Sequence, residues 1–170
     1  SQLLIYNFAQ KINDTAKKEY YYTLLTENST DPEISNNALF QLSVIHYTEK
    51  RYALAIQYLN KIQYPNLFPQ KNYYLALSYF HQNNLTRALQ YALDIDKTKI
   101  ENDKLNLLFV LIYFNLKNYP KTLEFAEKLS ANELENKLFY SGAAEYYLSN
   151  YQKSIAFLKD FDKQFFKSNK

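Results

Sequence analysis

The chain has 170 residues, 47% hydrophobic and 18% aromatic, with 20 basic and 17 acidic side chains and a formal net charge of +3. A single Gly excludes glycine-rich phosphate loops and argues against arrays of β-hairpins, whose turns need residues at positive φ. The absence of Cys excludes disulfides, thiolate zinc sites and a cysteine nucleophile, and with only Arg51 and Arg87 among scattered Lys no nucleic-acid face is expected.

In chain order, the opening SQLLIYNF carries neither an initiator Met nor a signal peptide. The chain therefore reads as a piece of a longer protein, or as a mature form, and both cytoplasm and periplasm stay open. QKINDTAKKEYYYTLL follows, with Ala16 and then Tyr20, and reads as a degenerate first copy of what comes next (residues 1–30). ENSTDPE (27–33) has the composition of a loop.

From there the chain repeats itself. LKNYPKTLEFA (116–126) and LSNYQKSIAFL (148–158) share most positions, and align a small residue, Thr122, with Ser154. The same slot recurs upstream at Ala55 in KRYALAIQYL and Ala88 in NNLTRALQYAL, at spacings of 33, 34 and 32. Three residues before each stands Tyr52, Leu85, Tyr119 or Tyr151; twelve before each stands Ser43, Ala76, Val110 or Gly142. The only Gly thus occupies a slot shared with Ser and Ala, which asks for a small side chain and not for a turn.

Within each unit apolar residues recur at i, i+3, i+4 and i+7, the helical period. In one first helix Tyr73, Leu77 and Phe80 share a face while Leu75, Ala76 and Tyr79 share another. Asn84 and Asn118 suit the N-caps of second helices, and Pro120 is tolerated in a first turn. Each unit is therefore a pair of helices whose small slots allow close approach, and one pair cannot hide its apolar surface alone. No stretch is long and apolar enough for membrane insertion, since 105–116 is short and broken by Asn106 and Asn115.

LSVIHYTEKRYALAI (42–56), LALSYFHQNNLTRAL (75–89), FVLIYFNLKNYPKTL (109–123) and SGAAEYYLSNYQKSI (141–155) resemble the tetratricopeptide repeat (TPR) family. His46 and Glu145 depart from its pattern where Tyr79 and Tyr113 keep the aromatic, Val110 is larger than the usual small residue, and the family's Trp is missing. The resemblance implies an all-α array over 1–170, with antiparallel helix pairs at about 33–65, 69–97, 102–130 and 133–166 stacked as a right-handed α-solenoid. It also implies a concave groove lined by the first helices that binds a peptide or helix of a partner protein. Three rows would face that groove: Phe40, Tyr73, Leu107 and Phe139; Val44, Leu77, Leu111 and Ala143; Tyr47, Phe80, Phe114 and Tyr146. The competing reading of these rows is packing between neighbouring repeats, the third row being the best candidate for ligand contact.

Some members of the family grip a C-terminal carboxylate with Lys and Asn; only Asn37 and Lys104 are of that kind here, so no such clamp is expected. His46 and His81 lie 35 residues apart without a ligand partner at i+4, and Glu19, Glu124 and Glu145 fall in separate units. No enzyme, metal or cofactor is expected. The alternatives to a peptide-binding module are a bacterial envelope assembly or scaffold factor, and self-association through the apolar tail of Phe161, Phe165 and Phe166.

Overall fold

A computed structural model describes residues 1–166, which form ten α-helices and no strand. The helices are α1 (Gln2–Lys11), α2 (Thr15–Asn28), α3 (Pro32–Thr48), α4 (Tyr52–Lys61), α5 (Phe68–His81), α6 (Leu85–Leu93), α7 (Asn102–Asn115), α8 (Tyr119–Glu127), α9 (Leu134–Tyr147) and α10 (Tyr151–Phe165). Among the described residues none is long and apolar enough to cross a membrane.

Local chemistry sets the helix starts. The side chains of Asp14, Asp31, Asn84 and Asn118 accept from backbone N–H groups of the first turns of α2, α3, α6 and α8, satisfying donors that have no partner within the helix. Pro32 and Pro120 stand in first turns, where the missing N–H costs nothing. The loop expected over 27–33 shrinks to three residues, because α2 runs to Asn28 and α3 opens at Pro32.

The turns between paired helices share one geometry. Lys50, Asn83, Lys117 and Ser149 are the described non-Gly residues with positive φ, at 61°, 59°, 58° and 63°. They follow one another at the repeat spacing. The next residue in each turn (Arg51, Asn84, Asn118, Asn150) donates its N–H back to the carbonyl of His46, Tyr79, Tyr113 or Glu145, at 2.8–2.9 Å. This is a Schellman closure built without glycine.

The chain divides into two compact units, Ser1–Ile95 and Asp96 onward. In the first, α1 to α5 each pack on the helix that follows, with α1 also meeting α3 and α3 meeting α5. In the second, α7 to α9 do likewise and α7 meets α9. The same ties recur in both. Asn36 Oδ1 accepts from the N–H of Gln63 at 2.7 Å, and the equivalent Asp103 accepts from Ser130 N–H at 2.9 Å. Lys71 Nζ donates to the Ile62 carbonyl at 3.0 Å, and Lys137 Nζ to that of Leu129 at 3.2 Å. Each lysine fastens a first helix to the end of the preceding pair.

The paired small slots lie at the helix–helix contacts. Ser43, Ala76, Val110, Ala55, Ala88 and Thr122 are all 0% exposed, and Ser154 is 2% exposed. Gly142 lies inside α9 with helical backbone, and a Cβ there would sit 2.8 Å from Leu158 Cγ and 3.3 Å from Phe157 Cβ. Size is exchanged across the contact. In α7 the slot holds Val110 and packs with Ala126; in α9 it holds Gly and meets Leu158, the residue equivalent to Ala126. Val110 therefore fits because its opposite number is small.

The N-terminal copy departs from the expected alignment. Ala16, assigned to the small slot, is exposed in the first turn of α2, and Tyr20 is exposed as well. Ala9 of α1 with Tyr22 and Leu25 of α2 makes the buried contact, against Ala38 and Leu42 of α3. The buried small residue of that pair is Ala9 of α1, one residue before the aligned segment begins.

Gly142→Val should overpack the α9–α10 contact and cost about 1–3 kcal/mol in urea unfolding. Adding Leu158→Ala should recover a large part of the loss, a coupling of about 1 kcal/mol; strictly additive effects would contradict the size exchange. In the turns, Lys50→Gly, Lys117→Gly and Ser149→Gly should each stabilise by about 0.5 kcal/mol, the relief of left-handed strain exceeding the entropy cost of Gly. Asn83→Gly should gain less, because Asn already tolerates that conformation.

Candidate functional site

Tyr47, in the row best placed for a ligand, sits at the centre of an aromatic cluster in the first unit. Its ring lies 5.7 Å from Tyr52, 5.4 Å from Tyr74 and 5.8 Å from His81. Tyr52, the first residue of α4, stacks on His81, the last of α5, at 4.7 Å and 8°. The Tyr47 hydroxyl is 3.2 Å from His81 Nε2. Burial, reinforced by the neighbouring phenols of Tyr52 and Tyr74, pushes the Tyr47 phenol up to about 12. Burial, with Lys50 nearby, lowers the His81 pKa. The pair thus holds a phenol against a neutral imidazole at ordinary pH.

The second unit builds the same cluster at equivalent positions. Phe114 lies 5.8 Å from Tyr119, 5.3 Å from Tyr140 and 6.1 Å from Tyr147. Tyr119 stacks on Tyr147 at 4.8 Å and 8°. Offset and edge-on ring pairs of this kind add to the burial of area alone. Tyr47 and Phe114 therefore spend most of their surface on the helix of the following pair.

The other predicted residues divide by exposure. Phe40, Val44, Tyr73, Leu77 and Phe80 in the first unit, and Leu107 and Leu111 in the second, are half-buried. Phe40 packs on Tyr74 at 5.6 Å, Tyr73 on the same ring at 5.7 Å, and Phe80 on His81 at 5.5 Å. Leu107 packs on the cluster of Val110, Ala126 and Leu129. Val44 borders an open cleft of about 430 Å³ with Gln10, Lys18 and Gln41. Phe139 and Tyr146 are open, at 44% and 57% exposure.

Beside them stand two open rings that the predicted rows did not include, Tyr147, at 57%, and Tyr151, at 55%. Tyr146 lies 5.7 Å from each of them. Tyr146, Tyr147 and Tyr151 thus form an exposed aromatic cluster at the junction of α9 and α10. The signal was in the repeat: Tyr151 aligns with Tyr52 and Tyr119, and Tyr147 with His81, but their stacking across pairs is a tertiary fact.

A second set of ring pairs lies inside each helix pair. Tyr79 stacks on Tyr91 at 5.5 Å and Tyr113 on Phe125 at 5.6 Å. His46 takes the same place, stacked on Tyr58 at 5.0 Å and fully buried. Glu145 fills the fourth position at 6% exposure, where Asn150 Nδ2 donates to Oε2 at 2.7 Å and the Lys153 ammonium stands 4.0 Å from Oε1. The carboxylate is thereby compensated.

Asn37 Nδ2 donates to the Glu33 carbonyl at 2.9 Å and Lys104 pairs with Glu101 at 2.9 Å, so both polar residues weighed for a carboxylate clamp are engaged within their own helix turns. No protein-family model matches the chain, and a search of curated proteins finds no match to it.

Proposed function

We propose that the chain is a non-catalytic protein–protein interaction module, of tetratricopeptide type, that captures an apolar or amphipathic segment of a partner protein. In this reading the helix pairs continue one another as a right-handed α-solenoid, and the first helices line the groove. The observation that carries the proposal is the pair of open tyrosines Tyr146 and Tyr151, whose counterparts Tyr47, Phe114, Tyr52 and Tyr119 are half-buried in ring contacts. Exposed, stiff aromatic side chains supply contact area at low entropic cost, and a phenol satisfies a wet rim. Support also comes from the recurrence of turn, slot and ring contacts at the spacing of that family.

A second reading is self-association. Tyr151, Ile155, Leu158 and Phe165 are exposed at helical spacing along α10, where the equivalent Tyr119 of α8 is covered by Tyr147 of the following helix. Phe161 lies beneath, 5.8 Å from Phe139.

The two classes of ring separate in one experiment. Tyr146→Ser with Tyr151→Ser should leave helicity unchanged and move stability by less than about 1 kcal/mol, whereas Phe114→Ala should cost about 2–4 kcal/mol. Affinity capture from the native organism should retain a protein on the wild type that the tyrosine variant loses. Equal retention by both would remove the site. Sedimentation at rising concentration decides the second reading: a monomer throughout ends it, and a dimer abolished by Ile155→Lys establishes it.

A further inference from the structure

Among the four equivalent residues His46, Tyr79, Tyr113 and Glu145, His46 alone is both fully buried and polar without compensation. Both ring nitrogens, Nδ1 and Nε2, lack a hydrogen-bond partner, in a side chain that is 0% exposed. A buried polar atom left unsatisfied costs about 1–3 kcal/mol, and native chains seldom leave one so. Tyr79 and Tyr113 show that a ring at this position needs no nitrogen at all. The imidazole calls for an explanation other than packing.

Its surroundings supply one. Nε2 points at Glu19 of α2, 3.7 Å from Oε1. Glu49, which caps α3 and lies three residues beyond His46, brings a second carboxylate. Ligand atoms of Glu19, His46 and Glu49 all lie within 4.8 Å of one another. A gap of 3.7 Å is too wide for a hydrogen bond. Two donors on one tetrahedral zinc ion stand roughly 3.4 Å apart, from bond lengths of about 2.0–2.2 Å.

We propose that His46, Glu19 and Glu49 form a site for a divalent first-row transition ion, Zn²⁺ being the reference case, which ties α2 to α3. One imidazole with two carboxylates is a donor set for such an ion, and too nitrogen-rich for Mg²⁺ or Ca²⁺. Arg51 is the internal competitor. Its guanidinium contacts Glu49 and stands 3.4 Å from Glu19 Oε2. It neutralises the two carboxylates but leaves the histidine unserved. The ion would replace the guanidinium, satisfy Nε2 and complete its coordination with water. The sequence offered no hint of this, since Glu19 comes from a different helix pair.

The test is titration of chelator-treated protein with Zn²⁺ by calorimetry and thermal melting, with Co²⁺ as the spectroscopic probe. The wild type should bind one ion per chain, melt several degrees higher when saturated, and give a visible Co²⁺ band of a nitrogen–oxygen site. Arg51→Gln should tighten binding at least about tenfold, and Glu19→Gln should weaken it at least about tenfold. His46→Tyr installs the residue of the equivalent repeats, so the fold should persist and the band should vanish. Should that variant fail to fold, Glu19→Gln, on a half-exposed side chain, carries the same comparison. No thermal shift and no band in both wild type and Arg51→Gln would overturn the site. So would undiminished affinity in Glu19→Gln, which would place the ion on other surface carboxylates.

Discussion

The close approach of two helices at a pair of small residues governs the architecture. Neither partner at such a crossing can present a bulky side chain unless the other yields the space, and interiors tolerate neither a void nor an excess methylene well. Val110 opposite Ala126 and Gly142 opposite Leu158 are two solutions of one volume equation. The short turns follow from it: helices held this closely must be joined by few residues, and a left-handed residue with a Schellman closure is the compact way to reverse the chain. The aromatic side chains then fill the wider space on either side of the crossing.

Aromatic residues serve two structural duties and leave a remainder. One set joins the two helices of a pair, as in Tyr79 with Tyr91. Another joins a pair to the helix that follows, as in Tyr52 with His81 and Tyr119 with Tyr147. Part of what is left open lies on α9 and α10, where Tyr146 and Tyr151 have neighbours but no cover. Position in the repeat alone does not separate these roles, because Tyr47, Phe114 and Tyr146 are equivalent in register and differ in what lies beside them.

This sets what could be read from the sequence. The helix pairs, the buried slots, the Asn84 and Asn118 caps and the non-turn role of Gly142 follow from spacing and side-chain size, which are local properties. The aromatic row facing a groove was read from register, and register cannot show that Tyr74 and Tyr140 wedge against Tyr47 and Phe114 from the next helix. Ala16 misled because a small residue before an aromatic is common, whereas burial there depends on α1. The meeting of Glu19 with His46 was invisible for the same reason: the two lie 27 residues apart, on helices whose facing surfaces are decided by packing. Nor does periodicity reveal that the chain separates into two compact units at Ile95.

Each helix in either unit finds its partners among its immediate successors in the chain. Little loop-closure entropy must therefore be spent before a contact is rewarded, and low contact order goes with folding on the microsecond-to-millisecond scale. For a molecule with so many aromatic side chains this matters, because the time during which its rings are open to strangers is brief.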